Sequence, residues 1–190
     1  MKRSLGANTI TFPLPAYLVG SYDHDGRANI MMAAWGGICS SEPPCLAVSV
    51  RPGRWTYSAI MERRAFTVSI PPARLTAEAD FAGMASGKDM DKFGRAGLTP
   101  VRSEVVDAPY VGECPVVIEL TLYKTVELGS HVQFIGKIVD VKADADCVGE
   151  NGKLDIDLVD PIFFDTAARN YHAVGPVTGK AWASGKDFLK

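Results

Sequence analysis

Residues 116–143 constrain the fold more than any other stretch of the chain. Val116, Ile118, Leu120 and Leu122 alternate with Glu119, Thr121 and Tyr123, the period-two pattern of a half-buried strand. Gly129-Ser130 then breaks the chain, and HVQFIGKIVDVKAD returns as the hairpin partner. Gly136 lies inside that second strand, where a residue without a side chain marks a bulge or a close backbone approach.

The remaining strands are also expected mostly as hairpins. AYLVGSYD (16–23), the turn at Asp25-Gly26 and RANIMMAAW read as one hairpin, because that turn pair tolerates positive φ. CLAVSV (45–50), bounded by Pro43-Pro44 and Pro52-Gly53, reads as a buried strand. AFTVSI (65–70), closed by Pro71-Pro72, reads as another, and PIFFD (161–165) as a last short one. Tyr57, Ile60, Met61 and Arg64 fall at helical spacing after Arg54, and a second helical stretch runs from about Ala73 to Met84. Residues 86–98 suit a loop leading into a brief helix. Helices between only some of the strands exclude a regular βαβ series. The pattern predicts a mainly β, antiparallel barrel with peripheral helices. Without repeats or a linker, residues 1–190 read as a single domain, with the glycine-containing residues 174–190 as a C-terminal arm that lies on a partner subunit.

A formal net charge of -2 and the absence of a long basic block argue against nucleic acid or an anionic membrane as a partner. No apolar run approaches the roughly 18 residues that span a bilayer. The opening MKRSLGANTITFPLP has two cations but no apolar region behind them, so the expected location is cytoplasmic. Cys39, Cys45, Cys114 and Cys147 show no zinc-ligand spacing; they read as buried thiols, with a Cys39–Cys45 disulfide as the alternative. There is no GxGxxG, HExxH or GxSxG. VGPVTGKAW is one residue short of a phosphate loop, with Ala181 where a hydroxyl is required.

Three segments remain as candidates for chemistry. In NIMMAAW (29–35), small side chains at Ala33 and Ala34 let a flat ligand approach the backbone. Asn29 can pair with a heterocycle edge, and Trp35 can lie beside it; an ordinary core strand is the alternative. In SVRPGRWTY (49–57), Ser49, Arg51, Arg54 and Thr56 stand where a strand meets a helix start. That end of a helix suits a phosphate, and arginines add charge-assisted bonds. Thr56 is equally explained as a cap, and either arginine as a surface charge. In SGKDMDKF (86–93), Ser86, Lys88 and Lys92 could hold an anion, while Asp89 and Asp91 among them fit a solvated turn.

Taken together and in order, these segments, with SEPPCLAVSVRP, AFTVSIP, GSHVQFIGKIVDV and RNYHAVG, resemble the flavin-reductase-like family of FMN-binding split barrels, and within it the flavoredoxins. The resemblance covers nearly the whole chain. It implies a homodimer with one FMN per subunit near the interface. It also implies flavin contacts from Asn29, Ala33, Ala34, Trp35, Ser49, Arg51, Arg54, Thr56, Ser86, Lys92 and His131, with Phe164 and Tyr171 closing the site. Lys92 and His131 are the candidate cations for the N1–C2 edge of the ring. Met31 and Met32 stand where many relatives carry Thr or Ser, which removes a side-chain hydrogen bond. Two functions fit: electron transfer between redox partner proteins, in sulfur metabolism, or NAD(P)H-dependent reduction of flavin.

Overall fold

In the computed structural model, which describes residues 1–189, a two-residue strand β1 (Leu14–Pro15) precedes the hairpin of β2 (Tyr17–Tyr22) and β3 (Ala28–Ala33). Asp23 shapes their turn: its carboxylate accepts the Asp25 and Arg27 N–H groups at 3.0 and 2.8 Å. Gly26 supplies the positive φ of 77°. A second hairpin follows from β4 (Gly36–Ser41) and β5 (Pro44–Val50). Helix α1 (Trp55–Arg63) leads to β6 (Ala65–Ile70), and α2 (Thr76–Met84) and α3 (Lys92–Ala96) come next. The short pair β7 (Pro100–Arg102) and β8 (Pro109–Val111) precedes the long hairpin of β9 (Val116–Leu128) and β10 (His131–Ala143). After α4 (Ile156–Val159), strands β11 (Phe163–Asp165) and β12 (Asn170–His172) join β1 in a small sheet.

The main sheet has the order β3-β2-β6-β9-β10-β5-β4, and its neighbours are antiparallel throughout. It curls until β3 and β5, near opposite ends of that order, come into contact. Phe66, Leu120, Phe134, Leu46 and Val48 fill the enclosed core, all with no exposed surface. Burial of that kind contributes about 1.5–3 kcal/mol per large side chain. Gly136 sits where its strand packs closely on the core. A Cβ there would lie 2.6 Å from the Phe66 ring and 2.8 Å from Leu120, and the β9–β10 register shifts between Ile135 and Gly136. Outside the barrel, Leu75, Ala79 and Ala82 of the α2 region and Phe93 of α3 cover Leu18 and Ile30. Strands β2 and β3 are therefore buried on both faces.

The expected strands and helices are present, with differences at the margins. Strand β4, GGICSS, is absent from the sequence reading because it carries no apolar alternation; it is a strand by virtue of pairing with β5. Cys39 is exposed rather than buried, and its thiol is unpaired with Cys45. It sits where the β4–β5 register shifts at the open edge of the sheet. The PIFFD segment becomes a strand only at Phe163, since Pro161 makes an isolated bridge to Pro72. Residues 174–189 form no strand, and Val177, Trp182 and Phe188 expose their apolar side chains.

Candidate functional site

Where β3 runs out, Trp35 turns the chain into β4, and its carbonyl accepts the Ser49 N–H of β5 at 2.8 Å. That bond brings the two strand ends to one pocket of about 150 Å³, lined by Ala33, Ala34, Trp35, Ser49, Arg51, Arg54 and His131 together with Met31, Met32 and Val50. Ala33, Ala34 and Ser49 give part of that lining small side chains. One wall is aromatic: the Trp35 and His131 rings lie 4.6 Å apart at 42°. His131 opens β10, with its Nδ1 2.9 Å from Ser130 Oγ. Partial burial, and then the Arg51 guanidinium, hold its pKa below the usual 6.5. That direction favours the neutral imidazole, a ring that can donate or accept a hydrogen bond.

Cationic character comes from Arg51 and Arg54. Arg54 is the residue before α1, in extended conformation and with no side-chain cap bond, and the first turn of α1 carries no acid. A helix start of this kind, with unpaired first-turn N–H groups beside an arginine, suits an anion. In the same turn, Thr56 is buried and its Oγ1 accepts from Asn29 Nδ2 at 3.0 Å. Asn29 Oδ1 and Trp55 Nε1 are buried without a partner.

Lys92 has a different environment from the one its sequence context suggests. Only 3% exposed, it extends its ammonium to the Ala82 and Ala85 carbonyls at 3.0 and 3.2 Å. It thus caps the end of α2 from the neighbouring helix. Burial, and then the charge of Arg54, lower its pKa to about 8. Ser86 is half-buried, and its Oγ accepts the Lys88 N–H at 3.3 Å. Phe164 and Tyr171 do not line the pocket. They pair across β11–β12 with centroids 5.5 Å apart. Tyr171 donates to Asp80 of α2 at 3.0 Å, and burial, reinforced by that bond, raises its pKa. A larger cavity of about 620 Å³ lies between the start of β3 and the residues after Ser86, lined by Arg27, Asn29, Gly87, Lys88 and Phe93 among others. Trp55 and Gly87 were not singled out in the sequence. Gly87 signalled only a loop, and nothing local to Trp55 marks its indole N–H as unpaired.

The model of the flavin reductase like domain matches residues 9–166. The chain belongs to that family. Among solved structures, it is similar to the flavoredoxin of Desulfovibrio vulgaris (Miyazaki F), with 53% identity, a TM-score of 0.94, and coverage of 97% of this chain and 100% of that one. It is 37% identical over 121 residues to an uncharacterized protein of Aeropyrum pernix, 63% of this chain and 46% of that protein, so it spans about half of that relative. It is 32% identical over 138 residues to a high molecular weight rubredoxin of Moorella thermoacetica, 70% of this chain and 56% of that protein. The split barrel of the family is the fold found here, with the pocket at the ends of β3, β5 and β10.

Proposed function

We propose that this chain binds FMN in the pocket between β3, β5 and β10 and carries electrons between redox partners. The observation that carries the reading is the pocket itself, whose lining brings together Ala33 and Ala34, the paired rings of Trp35 and His131, and Arg51 and Arg54. That set fits a flat heterocycle bearing an anionic tail. Bound FMN supplies reversible one- and two-electron chemistry. Arg51, Arg54 and the first-turn N–H groups of α1 hold the phosphate. Ala33, Ala34 and Ser49 allow the ring to lie close to the backbone, and Trp35 and His131 keep water from one side of it. Lys92 serves the site by fixing the end of α2 and adding positive potential beside Arg54. The similar proteins named flavoredoxin and high molecular weight rubredoxin support electron transfer as the role.

The exposed apolar side chains of Val177, Trp182 and Phe188 support a homodimer in which this arm crosses to the second subunit. The family description supports a second reading, an NAD(P)H-dependent flavin reductase. One experiment tests both. Purified protein is expected to be yellow and to release FMN, not FAD, on denaturation. Mixed anaerobically with NADH or NADPH, it is expected to bleach far more slowly than with a one-electron protein donor. Colourless protein that cannot be reconstituted with FMN sinks the flavin reading. Rapid bleaching by a nicotinamide nucleotide turns the assignment to the reductase.

A further inference from the structure

Near the end of the described chain, one loop holds an aromatic side chain out in water. Ser184 Oγ accepts the Lys180 N–H at 2.8 Å and donates to the Lys180 carbonyl at 3.0 Å. The Ser184 N–H donates to that same carbonyl at 2.9 Å. Residues 180–184 are closed into a loop by these bonds, with Trp182 in the middle, 96% exposed and at a φ of 56°. Bulky residues seldom adopt that conformation. A covered Trp side chain buries about 150–250 Å², so an indole fixed in place without cover calls for a surface elsewhere. Lys180 and Lys186 flank it, and Phe188 beyond them is also exposed.

A surface of matching character lies beside α4. An apolar groove of about 300 Å³ runs between Tyr17, Ile70, Val116 and Phe163 on one part and Leu154 and Ile156 on the other. Among the described residues, its lining includes no charged side chain. Leu154 and Ile156 are 46% and 49% exposed. Asp155 and Asp157 alternate with them in the chain, Asp160 follows, and all three are exposed. Over residues 144–160, Asp144, Asp146, Glu150 and those three aspartates stand against Lys153 alone. Residues 174–190 have the opposite balance, three lysines against Asp187. Within one chain the indole and the groove both stay uncovered, so the groove is not filled by its own arm.

We infer that the groove beside α4 is the seat for Trp182 of a second copy of this chain, with Lys180 and Lys186 set against Asp155, Asp157 and Asp160. The inference rests on the homodimer reading and names the surface that receives the arm. In a twofold pair the exchange is reciprocal, so both contacts form together. The indole supplies the anchor, and the opposite charges orient the arm as it arrives.

Cross-linking between differently tagged, co-expressed chains tests the seat without touching the contact itself. Both chains carry Cys39→Ser, which removes the exposed native thiol. One adds Ala181→Cys beside the indole, the other Leu158→Cys beside the groove. A short bis-maleimide is expected to join the two tags, and Ile156→Asp in the groove chain is expected to cut that product at least about tenfold. Without the cysteines, Trp182→Ala and Ile156→Asp are each expected to raise the dimer Kd about tenfold or more by light scattering. Together they are expected to do little more than the larger one alone, because both remove one contact. A product that survives Ile156→Asp, or one formed only within a single chain when both cysteines are placed together, overturns the seat. A dimer that gives no product overturns the seat and leaves the homodimer reading standing. Protein that is monomeric at every concentration overturns that reading, and the seat with it.

Discussion

Replacing Lys92 by Met tests the most unusual charge in the molecule. The side chain is 3% exposed, and its pKa falls from 10.5 to about 8 through burial and the neighbouring Arg54. The unfolded chain keeps this proton up to about pH 10.5, whereas the folded chain releases it above about pH 8. Between those values the unfolded state binds more protons, so wild-type stability from this group rises with pH; below pH 8 its contribution is flat. Each tenfold step in proton affinity is worth 1.36 kcal/mol, and integration from pH 7 to pH 10 gives a rise of about 2.5 kcal/mol. Lys92→Met has no such group. Whatever it loses at pH 7 by leaving the Ala82 and Ala85 carbonyls without their donor, its deficit relative to wild type is expected to widen by about that amount by pH 10. Urea unfolding of both flavin-free proteins at pH 7, 8, 9 and 10 measures the difference, and other titrating groups cancel in it. A gap that stays constant or narrows with pH refutes the placement of a charged ammonium in this buried position.

Gly136→Ala adds a methyl 2.6 Å from Phe66 and 2.8 Å from Leu120. It is expected to cost about 1–3 kcal/mol by overpacking, read as a lowered urea midpoint with an unchanged slope. Lys142→Met strips the cation from Glu119, which has no exposed surface and whose other carboxylate oxygen has no partner. Lys142 is one-third exposed, so the loss at pH 7 is expected near the low end of the range for a broken buried pair, about 3 kcal/mol. Adding Glu119→Gln is expected to recover most of it, and a double variant as unstable as the single one argues against a charge effect.

Much of the barrel was legible because its strands alternate or form short apolar runs between prolines. The limits of AFTVSI were given by Pro71 and by the helical spacing before it, and β6 has those limits. Gly136 announced its close approach because few other reasons place glycine inside an alternating strand. Strand β4 escaped notice since Gly36, Gly37, Ser40 and Ser41 have no strand preference of their own and take their conformation from β5. The same division holds at the site. Residues 33–35, 49–54 and His131 were named together from the resemblance, and the fold brings them to one pocket. The partners of Lys92 were not readable, because the end of α2 meets it only through tertiary packing. Phe164 and Tyr171 are similar: their partners are each other and Asp80, 91 positions from Tyr171.

The hairpin of β9 and β10 has two strands of 13 residues each, about 44 Å of extended chain. Its middle is locked in the core by Phe134, Gly136 and Leu120, and its turn end presents His131 to Trp35. Ladder pairs tie Val132 to Val50 and Gln133 to Ser49, so the imidazole is indexed to the arginines by a count of residues. A single insertion between His131 and Gly136 would carry it to the opposite face of the sheet, while the core beyond the bulge stayed in place. Along this arm of the molecule, heredity has to preserve length as strictly as it preserves the identity of any side chain.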